Sequence, residues 1–283
     1  VQNLKYIIGL ISVSIIWGGT FPLVKVSLDY ISPFGFLALR FLIASLLLIL
    51  IYFKNLRENR VAINASFVLG IFLFLGYAFQ TVGLKYTTSS NAGFITGLYV
   101  VFTPIFAYFI VKERITWKVI IALLLSTMGL YFISGMSRFN VGDGLELLCA
   151  IAYGVHVSLI GKYSREYDAA TLTIMQLFFV FLFSSIFWGS EGFKMIPSPL
   201  LAFGVLFTAV FASAIGILVQ VHSQKHISPS RAAVIFTTEP VFAGIFSYIF
   251  LGEHPGIIGI IGALLILFAM LLAASEKESL EFE

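Results

Sequence analysis

Charge is what this sequence has least of. Asp, Glu, Lys and Arg together make up 11% of it, against 59% hydrophobic residues, where a soluble domain carries about 25% charged residues. With a mean hydropathy of +1.01, this excludes a soluble protein. There is one cysteine, Cys149, so an intrachain disulfide is excluded, and a lone thiol in an apolar run is expected to be buried and inert. No HExxH, Walker or Rossmann pattern occurs, so neither a metal nor a nucleotide has support and no cofactor is expected. The net charge of +3 is too small to point to nucleic acid.

Long apolar runs are what the chain has in plenty. A spanning helix needs about 20 apolar residues. Short polar breaks divide the sequence into ten such segments, at roughly 4–27, 34–53, 61–84, 90–111, 116–135, 143–164, 170–189, 199–223, 229–251 and 255–274. The expected fold is an all-α integral membrane protein with the lipid bilayer as its surroundings. The first segment has Lys5 near its start but runs too long for a signal peptide, and reads as an uncleaved span. Residues 276–283 read as a polar tail. Pro33, Pro199, Pro229 and Pro255 fall at or near helix starts, where a missing N–H costs little.

Residues 80–114 align without a gap on residues 220–254, at an offset of 140. Eleven of thirty-five positions are identical, among them Gln80/Gln220, Lys85/Lys225, Tyr108/Tyr248 and Glu113/Glu253. A weaker match at an offset of 136 pairs Trp17 with Tyr153, Thr20 with His156 and Arg40 with Gln176. The chain therefore reads as two five-segment repeats, 1–137 and 138–275. Such a repeat in an apolar chain is the mark of a transporter built from two halves.

The basic residues set the orientation. With the N-terminus inside, twelve fall on the inner side: Lys5, Lys54, Arg57, Arg60, Lys112, Arg114, Lys118, Lys162, Arg165, Lys225, Arg231 and Lys277. Three fall outside, Lys85, Arg138 and Lys194, and Lys25 and Arg40 lie within or at the end of segments. The positive-inside rule then puts both termini in the cytoplasm of a prokaryote bounded by this membrane. Five spans per half is an odd number, so the second half enters from the opposite side and the repeat is inverted in topology.

The chain resembles the drug/metabolite transporter superfamily, and its EamA-type members in particular. The resemblance rests on Ile16-Trp17-Gly18-Gly19-Thr20-Phe21, Ala38-Leu39-Arg40-Phe41, the run Thr96 to Pro104, Lys112-Glu113-Arg114, Glu239-Pro240-Val241-Phe242 and Leu251-Gly252-Glu253. It covers both halves. It implies export or facilitated passage of amino acids or other small metabolites through a central cavity lined by segments 1, 3, 4, 6, 8 and 9. Pro104 lies one turn later in its segment than Pro240 does, so the two halves are expected to bend at different depths.

Polar side chains at mid-membrane are costly and mark the solute site. Glu239, about ten residues into its segment, is expected to be the only carboxylate so placed, and is the candidate for proton coupling as well as for binding a substrate amine. Pro240 removes one N–H and frees the carbonyl of Phe236. His156, midway along the sixth segment, is placed to donate to Glu239, accept a proton or meet a substrate carboxylate. Its partner Thr20 is expected across the cavity, within about 20 Å given helix spacings of 8–10 Å. Tyr99, equivalent to Glu239, offers a hydroxyl and an aromatic face, and Trp17 and Tyr153 offer further aromatic walls. Gln80 and Gln220 are expected at two mouths of the cavity. Arg40 is expected to snorkel or to form a structural pair, ahead of the alternative that it attracts anions, and Lys25 is expected to snorkel. Glu113 and Glu253 are expected to hold the start of the helix that follows each of them. Gly93 and Gly97 suit close helix contacts, and Gly252, Gly256, Gly259 and Gly262 suit either static packing or the seam of a homodimer.

An intramembrane enzyme would need paired aspartates, a serine–histidine pair or a metal site, and none is present, so no enzymatic activity is expected. A channel would show a filter or a ring of like side chains. The reading that results is a secondary transporter of small metabolites, amino acids foremost. The alternative is a facilitative uniporter or channel-like pore for organic cations or nucleosides.

Overall fold

The computed structural model describes residues 4–58, 62–114, 117–133, 139–254 and 256–274. Arg60, Arg138, Pro255, Lys277 and the tail at 276–283 lie outside the described residues, as do the side chains of Lys54 and Arg57. The helices in chain order are α1 (Leu4–Ser27), α2 (Pro33–Glu58), α3 (Ile63–Gly83), α4 (Ser89–Thr96), α5 (Tyr99–Val111), α6 (Trp117–Ile133), α7 (Val141–Glu166) and α8 (Ala169–Ser190). Then follow α9 (Pro199–Phe207), a π-helical stretch (Thr208–Ile215), α10 (Gly216–Gln224), α11 (Pro229–Ile235), α12 (Thr238–Leu251) and α13 (Ile257–Ala274). Pro33, Pro199 and Pro229 each open a helix.

Joined end to end, these make eight segments long and apolar enough to cross a membrane; α4 with α5, α9 with the π stretch and α10, and α11 with α12 each count as one. Two shorter apolar stretches, on α6 and α13, pack chiefly on each other. Gly129 of α6 rests against the carbonyl of Gly262, 2.8 Å from where a Cβ would stand. That glycine therefore serves packing within the chain.

Helices pair across the two halves in a reciprocal way. α2 packs on α8, α3 on α7 and α8, and α1 on α10 and α12. α4 packs on α12 while α5 packs on α11, so these two broken spans run antiparallel. Between two spans in lipid there is little hydrophobic drive, and close approach of small residues supplies the contact. Gly93 does this against Ala243, where an added Cβ would stand 2.3 Å from the Ala243 Cβ. Gly97 likewise meets Pro240 and Met270.

Both broken spans open at matching levels, which corrects the expectation of different depths. The breaks fall at Gly97–Leu98 and Phe236–Thr237. In the second half Pro240 cannot tolerate a regular turn four residues earlier. In the first half the glycine at 97 weakens the helix at the same level, and Pro104 sits inside α5 without ending it. Tightened three-residue turns bridge both breaks, with Leu98 N bonding Ile95 O and Thr237 N bonding Val234 O. The Phe236 carbonyl is not left free, because the Glu239 N–H takes it at 3.0 Å.

The far ends of these spans also match. Lys112 and Gly252 both end their helices in the left-handed conformation, at φ 63°. Glu253 then accepts from Ser89 N and Ser90 N, each at 2.8 Å, and from Ser90 Oγ at 2.7 Å. Glu113 accepts from the hydroxyl of Ser230, the residue equivalent to Ser90. The glutamates thus hold helix starts of the opposite half. The reason is the antiparallel pairing, which brings the end of each broken span to the beginning of the other. Residues 115, 116 and 255, just before the helices that follow the two glutamates, lie outside the described residues.

Candidate functional site

Two apolar clusters make up most of the interior. One lies among α2, α3, α8 and α10, the other among α1, α5, α11 and α13. Trp17 and Tyr153 pack against both. Between the clusters lies a partly open cavity. All eight residues singled out from the repeat line it: Trp17 and Thr20 from α1, Gln80 from α3, Tyr99 from α5, Tyr153 and His156 from α7, Gln220 from α10 and Glu239 from α12. Leu73, Tyr77, Val157 and Ile217 complete the wall. Ten of these twelve residues form five repeat-equivalent pairs: Trp17/Tyr153, Thr20/His156, Tyr77/Ile217, Gln80/Gln220 and Tyr99/Glu239.

Local sequence explains how each side chain arrives there. Gly18 lets α1 press on α12, since a Cβ at that point would stand 2.8 Å from the Glu239 carbonyl and from Phe242. Gly76 makes room on α3 for the Tyr153 ring, which would lie 2.2 Å from an added Cβ. The π stretch turns two successive residues to two different partners. The Ala212 carbonyl accepts from Trp17 Nε1 at 2.8 Å, and Ser213 Oγ accepts from Arg40 Nε at 2.7 Å. A π insertion leaves carbonyls out of the regular ladder and often marks a working site.

Glu239 is 5% exposed. The Tyr99 hydroxyl donates to its Oε2 at 2.7 Å, and its Oε1 has no partner among the described residues. Tyr99, Tyr153 and Tyr77 meet edge to face in a row, with ring centroids 6.1 and 5.5 Å apart. Trp17 leans on Phe236, at the break before Glu239. Neither the Gln80 nor the Gln220 carboxamide has a hydrogen-bond partner among the described residues. Both line the one cavity.

His156 is buried and bonded elsewhere. Its Nε2 meets Gln176 Oε1 of α8 at 2.8 Å, so it does not donate to Glu239 as one of its expected roles had it. Thr20 spends its hydroxyl on the Trp17 carbonyl at 2.7 Å.

Three further points concern polar groups, and Arg40 takes the structural pair that was one of its two expected roles. Arg40 does not snorkel: it is 2% exposed and donates to Ser213 and, through Nη2, to the Tyr77 hydroxyl at 3.2 Å. Lys25 donates to the carbonyls of Leu84 and Thr87 at 2.9 and 2.5 Å, where a cation suits the end of α3. Glu239 is not alone among buried carboxylates, since Asp143 and Glu146 are both 0% exposed. Thr87 Oγ1 donates to Asp143 and Thr96 Oγ1 to Glu146. Both acids sit in the first turns of α7, which lie under the end of α3: Gly142 and Gly83 meet there, backbone on backbone. Cys149 is buried, as its apolar setting predicts.

Tyr77 and Ile217 were missed by motif. A spacing signal for them exists, because each stands three residues before its glutamine, Gln80 or Gln220, and so on the same helix face. Leu73 lies one turn further along that face.

The chain is similar throughout its length to proteins of one kind. It is 39% identical over 274 residues to an uncharacterized transporter of Archaeoglobus fulgidus, covering 97% of this chain and 87% of the relative. It is 28% identical to the uncharacterized transporter YyaM of Bacillus subtilis, covering 96% and 94%. A solved crystal structure superposes with a TM-score of 0.70 at 17% identity, covering 93% of this chain and 94% of the other, which shows the fold alone. The model of the EamA-like transporter family matches twice, at residues 4–135 and 140–275. This multi-pass membrane protein, with one match to each half, belongs to the EamA-like transporter family and is a transporter, not an enzyme.

Proposed function

We propose that the chain is a secondary transporter that exports or exchanges small metabolites, amino acids foremost, by alternating access. The single observation that carries this reading is the make-up of the cavity wall. Ten of its twelve residues come in equivalent pairs, one from each half. A site shared equally by two halves has two equivalent packings around it, and exchange between them opens it to one side or the other.

In this reading the repeats are 1–137 and 138–275, and α6 and α13 complete ten spans with both termini in the cytoplasm. The antiparallel pairing of α4 with α12 and of α5 with α11 supports an inverted topology. The membrane is the plasma membrane of a prokaryote, in keeping with relatives from bacteria and archaea. Glu239 receives a substrate amine or a proton, and the aromatic side chains beside it hold the apolar part of the solute. One observation favours a second reading, a uniporter for organic cations: Glu239 stands among Trp17, Tyr99 and Tyr153, an arrangement that suits a quaternary amine as well.

The test is solute counterflow in proteoliposomes. A carrier with an amino-acid substrate accelerates uptake of labelled solute when the same solute is loaded on the other side. A pore shows no such acceleration, and that result would remove alternating access. Acceleration by organic cations alone would select the second reading.

A further inference from the structure

We propose that Arg40, acting through the Tyr77 hydroxyl, forms an anion-recognising end of the cavity, and that the solute is a zwitterion whose carboxylate docks at Tyr77 and whose ammonium docks at Glu239. This rests on the transport reading above and narrows its substrate class.

The argument begins with the charge on Arg40. The guanidinium is buried, and the groups it touches are neutral: Ser213 Oγ at 2.7 Å, the Tyr77 hydroxyl at 3.2 Å, and the rings of Tyr77 and Phe41 at 4.5 and 5.3 Å. Among the described residues no carboxylate bonds to it. A guanidinium cannot discharge by losing its proton, so the cost of its burial falls to whatever anion comes within reach. Arg40 does not itself line the cavity, but Tyr77 does. The Tyr77 oxygen accepts from Arg40 and lies beside the Tyr153 hydroxyl, which approaches it as a second donor, so its own O–H can turn to a solute in the cavity. A hydroxyl whose oxygen already accepts from a cation is a stronger donor, since successive hydrogen bonds polarise one another. Arg40 is therefore a positioning residue, and Tyr77 is the group that meets the solute.

The second charge lies at the other end of the same wall. From Arg40 the row runs through Tyr77, Tyr153 and Tyr99 to Glu239, with ring separations of 5.5 and 6.1 Å and a closing hydrogen bond of 2.7 Å. One fixed cation and one carboxylate thus bracket a row of three tyrosines. A solute with a single positive charge answers Glu239 and leaves Arg40 unmatched. An anion answers Arg40 and is repelled by Glu239. A neutral nucleoside answers neither. A zwitterion answers both.

The experiment uses the purified full chain and reads thermal stabilisation and Kd. The probes are the twenty proteinogenic L-amino acids and 6-aminohexanoate, followed for the best binder by its amide, which lacks the carboxylate charge, and its deaminated acid. The native chain is expected to bind the zwitterion at least tenfold more tightly than either analogue. Arg40→Gln and Tyr77→Phe are expected to close the gap between acid and amide, and Arg40→Lys to restore part of it. Loss of packing alone would lower stability without changing that ratio. The native-chain comparison stands even if Arg40→Gln does not fold. Equal binding of acid and amide, an unchanged ratio in Tyr77→Phe, or no binding by any zwitterion would each overturn the proposal. Flux of organic cations or nucleosides without zwitterions would overturn it and leave transport standing, whereas absence of flux for every solute would overturn the transport reading itself.

Discussion

Tyr99 and Glu239 hold the same place in their two halves, 140 residues apart, and they touch: the hydroxyl of one donates to the carboxylate of the other at 2.7 Å. Equivalent residues meet only where the relation between the halves maps a point nearly onto itself. The bond therefore ties the two halves together at the cavity wall.

The first prediction follows from that position. Glu239→Gln keeps the shape and removes the charge, and is expected to insert and fold normally. Flux in proteoliposomes is expected to fall at least tenfold, in line with the loss of one charge-assisted contact worth about 1.5–3 kcal/mol. If Glu239 also carries the coupling proton, an imposed pH gradient drives solute in the native chain and has no effect in the variant. Undiminished flux in Glu239→Gln would make the carboxylate structural.

Close packing of the broken spans sets the second. Gly93→Ala places a methyl 2.3 Å from that of Ala243, and overpacking of this kind costs about 1–3 kcal/mol. The variant is expected to melt earlier in detergent. Ala243→Gly in the same chain is expected to recover most of the loss, and a double mutant that melts no higher than Gly93→Ala would place the strain elsewhere.

Glu253 supplies the third. It takes two backbone N–H groups at the start of α4 as well as a hydroxyl. Glu253→Ala is expected to cost about 0.5–2 kcal/mol, the range for loss of a helix cap. Ser90→Ala removes the hydroxyl alone and is expected to cost less. Equal melting temperatures for the two variants would show that the backbone bonds add nothing.

The fourth concerns orientation. Lys85 and Lys225 are equivalent in the repeat and both exposed. Cys149 is fully buried, so the native chain gives a low labelling background. In whole cells an impermeant thiol reagent is expected to label Lys85→Cys and to spare Lys225→Cys until the membrane is opened. Labelling of both from the same side would remove the inverted topology.

The helical architecture and the wall of the cavity were legible because both follow from period and repeat. A residue equivalent to one at the cavity tends to face it too, and this brought in Thr20 with His156 and Trp17 with Tyr153. What was not legible depends on neighbours far away in sequence. Nothing near His156 says that Gln176 will take its ring nitrogen. Asp143 and Glu146 stand near the beginning of their helix, where depth along the chain suggests exposure, and only the Gly83–Gly142 contact shows that this turn is covered. The proline at 104 misled for a related reason. Pro240 sets the break in its own half, but Pro104 is carried inside α5, and in the first half the glycine at 97 marks where the helix opens.

The crossed glutamate contacts bear on how the protein is made. The start of α4 receives its carboxylate from Glu253, which is synthesised 163 residues after Ser90. During synthesis those two backbone N–H groups therefore wait until 163 further residues have been added after Ser90. The first half cannot reach its final form as an independent unit, and neither can the second, whose Ser230 is held by Glu113. Each half completes the other, so assembly closes late, after the twelfth helix is in place.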